Sequence, residues 1–222
     1  MIAGPAGAAA DPAKYIRAEL IAESAVPRPG SSMVIGIRMI PRSGWHGYWS
    51  NPGESGFAPS VRWTAPTGVT VGPLLHPAPS LLKVGGLTSF VHEGPHILLA
   101  RVSIPRSAAR GTNLPLSATV TWAACTATQC VPLRTTLKLD LIAGSGTPGT
   151  SAAALRAAVR KLPRPAPQGR MTVAGDRVRL QLPPLLHIDP RQTRFFPETG
   201  VFAGASGATL HNGAIVIDAS RR

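Results

Sequence analysis

Apolar and polar positions alternate along YIRAELIAE (Tyr15 to Glu23) and along SVRWTA (Ser60 to Ala65), and between them the mostly apolar SMVIGIRMI (Ser32 to Ile40) places Val34 and the methionines at expected core positions. A period of two buries one face of an extended chain, so each stretch predicts a strand. HILLARVSI (His96 to Ile104) predicts a fourth. Two further apolar or β-branched runs, Leu116 to Trp122 and Leu133 to Ile142, flank a short polar segment and predict a hairpin. Between these strands lie turn signals, Pro27-Arg28-Pro29-Gly30 and Asn51-Pro52-Gly53 among them. Pro73 to Gly86 is rich in Pro and Gly and reads as a long loop, a place where lids and binding elements are found. Past Ile142 the pattern changes. GSGTPGTS (Gly144 to Ser151) has linker composition, and Ser151 is placed to cap a short helix, Ala152 to Leu162, that Pro163 stops. Strand-like pieces return at Met171 to Ala174, Val178 to Leu182 and Ala214 to Ile217.

Composition supports an all-β chain. The 222 residues include 23 Gly and 23 Pro, few aromatics, and many Val, Ile, Leu and Thr in short runs. The expected layout is a flexible leader (1–12), a β domain (13–143), a linker with the short helix (144–168) and a second, smaller β subdomain (169–222). Met1 to Ala10 lacks the basic start and apolar middle of a signal peptide, and reads as a disordered leader or the remainder after a signal was removed. No apolar run reaches the length of about 18 residues that a spanning helix needs. The formal charge of +13 invites a nucleic-acid reading. The basic residues are scattered, however, with adjacent pairs only at Arg160-Lys161 and at Arg221-Arg222, which argues against it. An acidic partner or anionic headgroups stay open.

Chemistry is concentrated in one place. The only two cysteines, Cys125 and Cys130, stand at the two ends of the polar segment of the predicted hairpin. Its mouth would bring them within disulfide reach. A structural staple is the commoner reading of such spacing. A loop this short gains little entropy from a cross-link, and a chain this long buries a core without one, so a working dithiol is the competing reading. Other catalytic motifs are absent: no phosphate loop, no dinucleotide fingerprint, no HExxH, and Ser55 in GESGF is not a nucleophile elbow. Met33 and Met39 could be soft copper ligands but read as core. His46, His76, His92, His96, His187 and His211 are dispersed, and only His92 and His96 are four apart. GWHGYWSNPGESGF (Gly44 to Phe57) crowds aromatics beside turn residues, which suits either core or a contact surface.

The combination of GWHGYWSNPGESG, a loop ending in SFVHEG (Ser89 to Gly94) and WAACTATQCVP (Trp122 to Pro132) resembles the N-terminal periplasmic domain of the DsbD family of thiol:disulfide interchange proteins, including its ScsB-like branch. The resemblance covers roughly Ala13 to Ile142. FFPETG, from Phe195, looks like part of the second β subdomain of the longer branch. It implies an immunoglobulin-like β-sandwich that serves as a protein-disulfide reductase module. Such a module takes electrons from a thioredoxin-like domain of the full-length protein and passes them to disulfides of periplasmic partners. The full-length protein would be membrane-anchored beyond this segment. Carried over by position, Cys130 forms the mixed disulfides and Cys125 resolves them, with no metal, no cofactor and no nucleic acid. Pro79 to Phe90 takes the place of the family's cap loop, with SLLKVGGLTSF replacing its acidic-aromatic sequence, so that Leu81, Leu82 or Phe90 would shield the pair. His46 and Tyr48 match positions that are aromatic in the short branch, and His46 stands where a tyrosine is expected. Two alternatives remain: a copper(I)-binding, copper-tolerance module using the same cysteines, and an adhesive β-sandwich with a structural disulfide.

Overall fold

The computed structural model describes residues 11–165, 168–175, 177–182, 194–198, 202–203, 208–211 and 214–221. Residues 1–10 of the expected leader (1–12) and His187 lie outside them. In chain order the strands are β1 (Ile16–Ala22), β2 (Ser32–Pro41), β3 (Gly47–Gly53), β4 (Ser60–Thr64), β5 (Thr70–Val71), β6 (Ser80–Val84), β7 (Leu87–His92), β8 (His96–Ser103), β9 (Asn113–Cys125) and β10 (Cys130–Ile142). Helix α1 (Ala152–Arg160) follows, then β11 (Arg170–Ala174), β12 (Arg177–Leu182), β13 (Phe202–Ala203), β14 (Ala208–His211) and β15 (Ala214–Arg221). The chain is nearly all β, as its composition implies, and folds into two compact units.

The first unit takes residues up to 47, then 59–78 and 92–162. One sheet has the order β1-β2-β8-β5 and the other β10-β9-β4. Strand alternation explains the core between them. Ile35, Ile37, Leu98 and Val102 from the first sheet meet Leu116, Val120, Trp122, Leu133 and Leu141 from the second, all of them buried. This is a sandwich in which each inner face supplies every second residue. Met33 and Met39 lie in that core as packing residues. Helix α1 packs against β2 and β8 and buries Ala152 and Leu155. Ser151 stands at the helix start but makes no side-chain cap bond; its backbone is already helical (φ −86°, ψ −4°), which turns it away from the extended geometry a capping hydroxyl uses. The Gly/Ser/Thr run before the helix is bonded to residues 23–26. Gly146 N–H donates to the Val26 carbonyl, Gly149 N–H to that of Glu23, and the Ser24 hydroxyl to that of Thr147.

The second unit gathers residues 48–58, 79–91 and 163 onward. It holds a sheet of order β3-β7-β6 and another of order β11-β12-β15-β13, with β14 also on β15. The stretch expected to be a long irregular loop contains β6. Its SLLKV pairs with β7 across Gly85-Gly86, both with positive φ (57° and 82°). A Gly-Gly pair suits the primed turns of two-residue hairpins, and that signal outweighs the surrounding prolines. The aromatic-NPG stretch forms β3 and its end. Asn51 accepts from the Gly53 N–H (3.1 Å) and donates to the Pro197 carbonyl (2.8 Å). Gly53 has φ +84°, and a Cβ there would stand 2.5 Å from the Thr88 carbonyl oxygen, so both the turn and the close strand demand glycine. Trp49, Phe90 and Phe196 pack edge-to-face, with centroids 5.4–6.3 Å apart. Asn51→Ala is expected to cost this unit on the order of 1 kcal/mol per lost bond, read as earlier unfolding followed by Trp49 fluorescence. An unchanged transition would show that the Pro197 contact contributes nothing.

Candidate functional site

Strands β9 and β10 run antiparallel from Asn113↔Ile142 up to Cys125↔Cys130. The loop between them, Thr126 to Gln129, is tied by its own first residue. The Thr126 N–H donates to the Gln129 carbonyl (2.8 Å), and its hydroxyl accepts from the N–H groups of Thr128 and Gln129. The mouth of the hairpin is therefore fixed before any cross-link is considered.

Cys125 exchanges both backbone hydrogen bonds with His46, at 2.9 and 3.0 Å. Its N–H and C=O thus point away from β10, which makes Cys125 and Cys130 a non-hydrogen-bonded pair. That is the antiparallel position at which side chains come closest. The Cα atoms are 4.1 Å apart and the sulfurs are joined as a disulfide. The two halves differ in access: Cys125 has no exposed surface, whereas Cys130 is exposed. A disulfide with one exposed cysteine can be attacked by a thiolate from that side.

The other expected site residues are distributed between the units. His46 lies in the first, bridged to Cys125 through its backbone and only 6% exposed. Burial lowers its pKa from the usual 6.5, partly offset by the carboxylate of Glu93, so the ring is mostly neutral at pH 7. Such a ring can donate or accept a hydrogen bond but brings no full positive charge. Tyr48 and Phe90 belong to the second unit. Tyr48 is buried, its hydroxyl 3.4 Å from that of Ser55, which in turn is 2.7 Å from that of Ser89. Phe90 is fully buried in the aromatic trio.

A second cluster in the first unit was only half visible in the sequence. The rings of His92 and His96 stack with centroids 4.2 Å apart. His76 joins them electrostatically. His96 Nδ1 lies 2.9 Å from the Gly94 carbonyl, which can only accept, so this nitrogen carries the proton. Burial, aided by neighbouring imidazoles, pushes His92 down to about 3 and His76 to about 4. The 92/96 spacing was legible, but nothing local points to His76, which arrives because Leu75 bridges Leu99. Among the described residues no group of three or more His, Cys, Asp or Glu side chains is arranged to hold a metal ion. None of their helices is long and apolar enough to cross a membrane.

The first unit is an immunoglobulin-like β-sandwich with a cysteine pair at a hairpin mouth, and comparison with known proteins gives the family. The family described as thiol:disulfide interchange protein DsbD, N-terminal, matches residues 17–141, more than half of the chain. The chain belongs to that family and is a thiol–disulfide exchange domain. Among solved structures, the N-terminal periplasmic domain of ScsB from Proteus mirabilis is similar at 18% identity and a TM-score of 0.66, over 92% of this chain and 79% of that one. That likeness covers more of the chain than the family match does. The N-terminal domain of Neisseria meningitidis DsbD, solved in the reduced form, is 14% identical over 61% of this chain and 91% of that one. Its TM-score is 0.35. No curated protein sequence matches the chain significantly.

Proposed function

We propose that this chain is the periplasmic exchange module of a larger, membrane-anchored reductase. It accepts electrons from a thioredoxin-like domain of the same protein and reduces disulfides of periplasmic partner proteins. The observation that carries the reading is the unequal exposure of the two cysteines. In the reduced module the Cys130 thiolate attacks one sulfur of a partner disulfide. An S–S bond forms between them, and the partner's other sulfur leaves as a thiolate. The Cys125 thiolate then attacks the Cys130 sulfur, closing the internal disulfide and releasing the second partner thiolate. Two electrons pass to the partner, whose thiolates take up two protons from solution. The donor runs the same exchange in reverse on the exposed Cys130 sulfur.

His46 is assigned the positioning of Cys125, supported by the paired backbone bonds between them. Phe90 is assigned to the shielding element because its segment takes the position of the family's cap loop, and Tyr48 because it matches an aromatic position beside that loop. Residues 13–143 are taken as the redox domain, 144–168 as the connection and 169–222 as the accompanying β subdomain.

Equilibrating the pair against glutathione or dithiothreitol buffers gives its potential. The expected value lies clearly above about −300 mV, with rapid reduction by a thioredoxin-like donor. A potential well below that, with slow reduction, is the signature of a structural disulfide and would overturn the reading.

A further inference from the structure

The outer face of the β4-β9-β10 sheet carries a pattern that the exchange chemistry alone does not use. Along β10, Val131, Leu133, Leu137, Leu139 and Leu141 face the core, so Cys130, Pro132, Arg134, Thr136, Lys138 and Asp140 face out, all of them exposed. The registers align this row with its neighbours: Arg134 opposes Thr121 and Ser60, Thr136 opposes Thr119 and Arg62, and Lys138 opposes Ser117 and Thr64. Each rung therefore has hydroxyls and a single cation. The Thr119 and Thr136 hydroxyls lie 3.1 Å apart at the centre of the face. Arg62, Arg134, Lys138 and Asp140 are all the charged residues in these three strands. None of the three cations has an acidic partner in an ion pair among the described residues. At about 3.4 Å per residue, Lys138 stands roughly 27 Å from Cys130 along one continuous face.

We infer that this strip is the docking surface for the protein partner, and that the partner presents an acidic segment beside its disulfide. The inference rests on the proposed exchange at Cys130, with which the strip is continuous. Complementary charge steers encounter and fixes register more than it adds affinity. A strip of cations that begins at Arg134, about 14 Å along the strand from Cys130, would select partners with carboxylates running away from their disulfide. Three cations spread among hydroxyls are too few and too dispersed for the polybasic clusters that hold anionic membranes.

The test uses the full chain, reduced, and two synthetic disulfide peptides that differ only in having four glutamates or four lysines beside the disulfide. Each rate is divided by the same chain's rate with neutral 4,4′-dithiodipyridine, so a general effect of a substitution cancels. At low salt the glutamate peptide is expected to react about tenfold faster than the lysine peptide, with the gap closing as salt screens the charges. Arg134→Glu with Lys138→Glu removes that preference. Arg17→Glu with Arg156→Glu, an equal charge change elsewhere, keeps it. Fluorescence anisotropy with a cysteine-free glutamate peptide follows docking without chemistry. No preference, or equal loss in both double variants, overturns the strip. Binding of phosphatidylglycerol vesicles through Arg134 and Lys138 without peptide binding overturns it in favour of a lipid surface. Inertness toward the neutral disulfide would instead sink the exchange reading, while the anisotropy still decides the docking.

Discussion

A Cys130→Ser chain is expected to exchange with partner disulfides no faster than the uncatalysed background, whereas Cys125→Ser is expected to attack normally and then stall. The stalled species is a mixed disulfide through Cys130, visible on a non-reducing gel as a covalent adduct that dithiothreitol releases. The asymmetry follows from access. Cys130 opens the solvent-facing row of β10, and Cys125 has no exposed surface, held by two backbone bonds to His46. Attack in a line through two sulfurs needs approach from outside, which only Cys130 offers. The reverse result, adducts through Cys125 and none through Cys130, would invert the assigned roles. Full exchange by Cys130→Ser would remove the cysteine pair from the function altogether.

Acid should destabilise the first unit well above the pH at which carboxylates titrate. In the unfolded chain His92 binds its proton near 6.5, while in the folded chain it does so only near 3. Between those values the unfolded state holds the extra proton, so stability rises with pH across the window and falls as pH is lowered through it. From pH 6.5 to 4.5 the loss from His92 alone is about 2–3 kcal/mol, two pH units at about 1.4 kcal/mol each. His76, lowered to about 4, acts in the same direction and is coupled to the same rings, so the two do not simply add. Urea unfolding of the oxidised chain at a series of pH values measures this. His92→Leu should flatten the dependence, and an equally steep profile in that variant would place the acid sensitivity elsewhere.

Much of the first unit was legible because its signals are local. Thirteen-residue strands such as β9 and β10 carry several turns of the period-two pattern, and once they pair as a hairpin the meeting of Cys125 and Cys130 follows from counting. The helix was legible from Ser151 before it and the proline beyond it, although the Ser151 side chain makes no cap bond. The second unit was harder for a physical reason. Asn51 reaches Pro197 across 146 residues, and Trp49 and Phe90 meet Phe196, contacts that leave no periodic trace in either segment. Strand β6 was hidden by Pro77 and Pro79 before it and the glycines after it, although Gly85-Gly86 itself was the hairpin signal. Composition misleads in the Gly/Ser/Thr run as well, since it reports chain flexibility and not whether backbone groups such as those of Gly146 and Gly149 find partners.

The Trp49, Phe90 and Phe196 trio has a consequence for anyone who would trim this protein. A gene shortened after Leu162 keeps both cysteines and all the strands of the sandwich, so it looks like a minimal working version. It also strips Phe196 and Pro197 from the β3-β7-β6 sheet, leaving two large rings and the Asn51 amide without the neighbours that cover them. Poor yield or clumping of such a fragment would then reflect an uncovered greasy surface rather than a faulty disulfide, and the remedy would be to restore residues 194–198 rather than to change the redox buffer.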